Sequence, residues 1–150
     1  MAIDIKILFE TYRKIKRLDF SSVLSKLSSS DYATLSCVYE LDKETEGRAE
    51  VSVIGKRLGV SAPAASRAVS KLVELDMLSR HINNYDRRYT FIRLTEKGSK
   101  ALEESTEQLS AVLSEIVSAI GEDQTEQFVE YFDNFLEISD EKLEKYRSSK

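Results

Sequence analysis

Residues 52–95 read SVIGKRLGVSAPAASRAVSKLVELDMLSRHINNYDRRYTFIRLT, and two short helical segments in it flank a glycine turn. Gly59 stands just after Leu58, where a helix ending in a left-handed residue favours glycine. Ser61 is placed to cap the orphan N–H groups of the next helix. Pro63 falls in that helix's first turn, where a missing N–H costs nothing. A second helix is therefore expected to start at Ala62.

At about 100° per residue, Ala65, Ala68, Val69, Leu72 and Leu75 gather on one face of this helix. Pro63, Ser66, Arg67, Ser70, Lys71 and Glu74 gather on the other. The first face is core. The second is polar, short-chained near its N-terminus and carries two cations, which suits a helix entering a major groove with its N-terminal end at the bases. Serine and arginine hydrogen-bond base edges, while the methyls of Ala62 and Ala64 permit close approach and can meet thymine methyls. An ordinary amphipathic surface helix would look the same in isolation, so the segment that follows decides.

Residues 77–82 and 89–94 are short alternating segments around Asn83-Asn84-Tyr85-Asp86, residue types that tolerate turns. Asp86, Arg87 and Arg88 lie at or just after the tip of this hairpin. Charges on a hairpin tip are usually only a solvated loop. Beside a basic helix, an arginine there can reach a minor groove, where narrow A·T-rich DNA concentrates negative potential. Asp86 would repel phosphate, so its expected role is to orient Arg88 through a charge-assisted hydrogen bond. Helix, turn, helix and hairpin together define a winged helix-turn-helix. Its expected DNA-binding set is Ser61, Ala62, Pro63, Ser66, Arg67, Ser70, Lys71, Asp86, Arg87 and Arg88. Arg80, at the wing's base, either contacts phosphate or links wing to core.

The rest of the chain supports this reading through its charge. The 150 residues, 41% apolar and 32% charged, suffice for a core, and their net charge of −4 looks wrong for a DNA binder. Mapped along the chain it is not: residues 1–51 carry 8 Lys/Arg against 9 Asp/Glu, residues 52–100 carry 10 against 4, and residues 101–150 carry 4 against 13. Basic charge concentrates in the proposed reading head and acid in the C-terminal third.

Helical spacing of Ile5, Leu8, Tyr12 and Ile15 predicts a helix over residues 2–18, with a break near Asp19. Ser28 with Asp31 resembles a capping box opening a helix over residues 29–41. Residues 42–48 read as a loop, Glu50 and Val51 as a short third strand, and Ser52 as the cap of the next helix. Thr95 is the expected N-cap of a long helix reaching Ile120, where Gly121 ends the run, and a last helix carries Phe128, Phe132 and Phe135. The expected architecture is mainly α with a small β-hairpin wing. One domain, residues 1–150, holds the winged helix-turn-helix over about 29–95 and dimerisation helices over about 2–28 and 96–146. A stripe of apolar side chains on the terminal helices needs a partner, either the chain's own N-terminal helix or a second copy.

The residues that carry chemistry elsewhere are sparse. One Cys37 excludes an intrachain disulfide and one His81 excludes a His/Cys zinc cluster of the usual ligand count, so no metal or cofactor is expected. Cys37 sits near Leu35, Val38 and Leu41, as a buried core residue would, with a redox sensor the alternative. No nucleophile–base pairing and no glycine-rich phosphate loop is present, so no catalytic residue is assigned. The N-terminus never builds a signal-peptide core and no long uncharged apolar span occurs, which points to the cytoplasm and away from the membrane.

Leu58-Gly59-Val60-Ser61, Ser66-Arg67, Leu72, the wing's Asp86-x-Arg88 and Leu94-Thr95-x-x-Gly98 resemble, in order and spacing, the MarR (multiple antibiotic resistance regulator) family of transcription factors. Leu27-Ser28-x-x-Asp31-Tyr32 is similar to the start of that family's second helix, so the likeness covers nearly the whole chain. The resemblance implies a homodimer formed through the terminal segments, more often a repressor, bound to a palindromic operator in double-stranded DNA. It also implies a small aromatic acid as effector, bound between the dimerising helices and the reading head. Tyr12, Arg13, Lys16 and Tyr32 are the candidate effector-binding residues, the alternative for them being ordinary packing and solvated charge. Peroxide-sensing members carry a cysteine in the first helix; this chain has none there. The competing function is a winged-helix protein-interaction module, against which stand the small residues of 61–66 and the paired wing arginines.

Overall fold

The computed structural model describes residues 4–24, 26–82 and 89–149. Among these described residues, six helices and one hairpin follow in the order α1 (Ile5–Ile15), α2 (Ser29–Glu44), α3 (Val51–Leu58), α4 (Ala62–Glu74), β1 (Leu78–Ile82), β2 (Thr90–Leu94), α5 (Glu96–Ile120) and α6 (Glu122–Ser148). This is the mainly helical winged helix-turn-helix expected. The chain divides into two compact units, one running to Leu109 and the other from Ser110.

Side-chain caps start α2, α4 and α5. The Ser28 side chain accepts from the backbone N–H of Asp31 to open α2, and Ser61 does the same for Ala64 to open α4. Thr95 Oγ1 accepts from the Gly98 N–H at 3.0 Å while donating to the Asp76 carbonyl at 2.7 Å, which ties the start of α5 to the end of α4. The core these helices enclose joins Leu35, Val38 and Leu41 of α2 to Ile54, Val69, Leu72, Leu78, Ile92 and Leu102. Cys37 is buried within it.

Helix α1 ends at Ile15 rather than residue 18, α2 runs on to Glu44 into the stretch expected as a loop, and three further features differ from expectation. Helix α3 starts at Val51, and its N-cap is Glu50 without a side-chain cap rather than Ser52. The anticipated third strand shrinks to a single bridge, Ala49 to Ile92. The cause is shared: the Ile92 N–H donates to the Ala49 carbonyl at 2.8 Å and holds the chain extended there, after which Glu50's carbonyl accepts from Val53 and Ile54 and the helix begins at once. Leu75, placed on the core face by periodicity, is the C-cap of α4 and 43% exposed. Asp76 turns left-handed there (φ 58°), and the Met77 N–H returns to the Leu72 carbonyl at 2.8 Å, so Met77 takes the inward place.

The second unit holds the rest of α5 and all of α6, joined at Gly121 with φ 99°. Phe128 and Phe132 stack with ring centroids 5.6 Å apart, yet no residue of α6 is buried. Among the described residues no helix is long and apolar enough to cross a membrane.

Candidate nucleic-acid interface

Helices α3 and α4 meet across a turn that glycine makes possible. Gly59 is left-handed (φ 65°), and the Val60 N–H reaches back to the Gly55 carbonyl at 3.0 Å. At Gly55 itself a Cβ would stand 3.1 Å from the Ala65 Cβ, so the helices cross at close range. Ala65, Val69 and Leu72 face the core, which leaves the opposite side of α4 to solvent.

That outward side begins as the sequence suggests. Ser61, Ala62, Pro63, Ser66 and Arg67 are exposed, and Arg67 has no partner among the described residues. Further along, the polar side chains are engaged. Lys71 Nζ donates to both carboxylate oxygens of Asp31 at 2.8 and 2.7 Å, an ion pair between α4 and the first turn of α2. Asp31 is 8% exposed and also accepts from Ser28 Oγ at 2.7 Å. Burial pushes its carboxyl up, but the Lys71 and Ser28 bonds outweigh this and hold it below the ordinary aspartate value. Ser70 Oγ accepts from Arg80 Nη2 at 2.8 Å. Of the two roles considered for Arg80, the structure shows a link, made from the wing to Ser70 on α4.

The hairpin is antiparallel, in register from Leu78 opposite Leu94 to Ile82 opposite Thr90. Arg80 stands opposite Ile92 and so shares the face of buried Leu78 and Ile92, which directs it toward α4. His81, on the other face, is 2.9 Å from Ser79 Oγ through Nε2. Asp86, Arg87 and Arg88 lie outside the described residues.

The four residues named for an effector do not form one cluster through their contacts. Lys16 Nζ lies 5.0 Å from the Tyr12 ring centroid, a pairing local to α1 and its C-cap, and Arg13 lines a shallow surface dip with Glu10, Lys14 and Arg17 of that helix and the turn after it. Tyr32 lies against α5, its hydroxyl 3.3 Å from Thr106 Oγ1. It lines a groove of about 530 Å³ between α2 and α5 with Tyr39, Glu40, Leu102, Glu103 and Glu107. Among the described residues no group of three or more His, Cys, Asp or Glu side chains could hold a metal ion.

Sequence reasoning missed the engagement of Lys71 and Ser70. Asp31 carried a signal only as part of a cap, and nothing local pairs it with a lysine 40 residues away.

An exposed helix N-terminus with small side chains and a free arginine, framed by a glycine turn and a hairpin, defines a winged-helix DNA-binding protein. Residues 27–98 match the winged helix DNA-binding domain family. Two transcriptional regulators are similar in sequence. MhqR of Bacillus subtilis is 27% identical over 104 residues, 69% of this chain and 68% of that protein. TcaR of Staphylococcus aureus is 30% identical over 102 residues, 67% of this chain and 65% of that protein. Solved structures extend the likeness in fold. The S. aureus MepR–DNA complex superposes with a TM-score of 0.72 at 20% identity, covering 91% of this chain and 98% of MepR. A mutant of MarR from E. coli gives 0.68 at 17%, covering 91% and 98%. PcaV from Streptomyces coelicolor with its natural ligand gives 0.68 at 19%, covering 93% and 97%. The chain is thus a winged helix-turn-helix protein, similar in sequence to HTH-type transcriptional regulators and similar in fold to MarR.

Proposed function

We propose that the chain is a sequence-specific repressor that binds a palindromic operator in double-stranded DNA as a homodimer and is released by a small ligand. The observation that carries the DNA part is the N-terminal half of α4, where Ser61, Ala62, Pro63, Ser66 and Arg67 are all exposed. Small side chains let the backbone approach base edges, and one arginine supplies the bidentate fork that guanine accepts. Arg87 and Arg88 would add phosphate and minor-groove contacts from the wing, with Asp86 orienting Arg88. MepR, similar in fold, has been solved on DNA.

The dimer reading rests on apolar surface left uncovered. Phe9 on α1 is 66% exposed and Tyr131 on α6 70%. Helix α1 and its trailing turn are basic through Arg13, Lys14, Lys16 and Arg17, while α6 is acidic through most of its length. Faces of opposite charge and shared apolar content suit a second copy of the chain, and two-fold symmetry would place two recognition helices about 34 Å apart, one DNA turn.

Release by a ligand requires that the ligand favour one of two states. PcaV, similar in fold, has been solved with its natural ligand. The groove between α2 and α5 is the place for an effector here, but its Glu40, Glu103 and Glu107 suit a cation better than the aromatic acid that family resemblance suggests. Equilibrium binding of the full chain to duplexes from its own upstream region, with and without a cationic or an acidic aromatic compound, tests the reading. Release by one of the two compounds is expected; DNA affinity unchanged by both would remove ligand release from it.

A further inference from the structure

Helix α4 carries two cations on its polar side, Arg67 and Lys71, and the structure treats them differently. Lys71 is held by Asp31 through both carboxylate oxygens, at 2.7 and 2.8 Å. Asp31 is buried to 8% exposure, and its only other side-chain donor among the described residues is Ser28 Oγ. Moving the ammonium away to a DNA phosphate would leave a desolvated carboxylate with a single hydroxyl partner, a costly arrangement. The neighbouring Ser70 is engaged by Arg80 from β1. One turn nearer the N-terminus, Arg67 is exposed and without a partner among the described residues.

We infer that the two cations divide the work of recognition: Arg67 is the base-reading cation of α4, and Lys71 is a positioning residue that fixes the helix against α2 through Asp31. The inference rests on the DNA-binding reading above. It narrows direct readout to the first half of α4, the Arg67 guanidinium taking a guanine edge in each half-site. Ser70 and Lys71 then act on DNA only by setting how α4 is presented.

The test compares native protein, Lys71→Met, Asp31→Asn and the double variant for binding to the operator and to a scrambled duplex at two salt concentrations. Circular dichroism checks that each is folded. Lys71→Met and Asp31→Asn are expected to weaken operator binding to a similar extent, on the order of tenfold, and the double variant no more than the worse single one. Scrambled-duplex affinity and the salt slope should stay native, which a general loss of stability would not give. A lysine on phosphate behaves otherwise. Asp31→Asn would free it and leave binding unchanged or tighter, and Lys71→Met would flatten the salt slope by about one per lysine. Either result overturns the inference. Should the variants unfold, the carboxyl carbon resonance of Asp31 in native protein carries the test. It should not move when operator is added, and a shift to that of an unpaired carboxyl contradicts it. Native protein that does not distinguish operator from scrambled duplex overturns the DNA-binding reading and this inference with it.

Discussion

Gly98 shows what one absent methyl does in this fold. It lies in the first turn of α5, and a Cβ there would collide with the backbone carbonyl of Met77, which cannot move aside as a side-chain tip can. Gly98→Ala should destabilise the protein by about 1–3 kcal/mol, read as a lower thermal midpoint with DNA contacts untouched. At the same scale, the role proposed for Arg67 is in binding. Arg67→Ala should cost about 1–3 kcal/mol of operator affinity and relax preference at one base pair per half-site; an equal loss on scrambled DNA would make Arg67 a phosphate contact instead. For Arg88, whose position is read from sequence alone, Arg88→Ala should weaken operator binding by at least about 1 kcal/mol while leaving the oligomeric state unchanged in sedimentation. Cys37 is expected to do nothing in regulation: burial pushes its thiol above the ordinary value, so peroxide should leave DNA affinity unchanged.

At the scale of elements, the pairing of α2 with α4 makes an acid-sensitive joint. Asp31 is held below its ordinary value, so its contribution to stability is present above about pH 4 and is lost as pH falls below that. Between pH 5 and pH 3 the thermal midpoint of native protein should fall more than that of Asp31→Asn, and parallel curves would contradict the pairing. Caps were the legible part of these elements because a cap is decided within three residues. Ser28, Ser61 and Thr95 each start a helix where the sequence places one. The left-handed Gly59 and the wing's two strands were legible for the same local reason. The start of α3 was not, because the Ala49–Ile92 bridge that sets it joins residues far apart in the chain. Likewise the recognition helix could be placed from sequence, but which of its polar side chains stay free could not. Lys71 and Ser70 meet partners from α2 and β1 that only the fold brings near.

For the whole molecule, charge and apolar surface are unevenly placed. Acidic charge is concentrated in the C-terminal third and basic charge in the reading head, so the net charge of −4 describes neither. Net charge is therefore no obstacle to DNA binding. The apolar side chains of α6 are exposed from Phe128 to Tyr146, far more than a lone helix needs. If the proposed dimer uses this face, Phe128→Glu should shift the protein toward a lighter species in sedimentation velocity and weaken operator binding with it; an unchanged species would remove that face from the proposal. The central claim is sequence-specific DNA binding by two copies, and fluorescence anisotropy tests it most directly. The purified chain is titrated into duplexes from its own upstream region and a scrambled control at two salt concentrations. A tight, salt-sensitive preference for one near-palindromic site at two chains per duplex is the expected result; no binding even at low salt would contradict it.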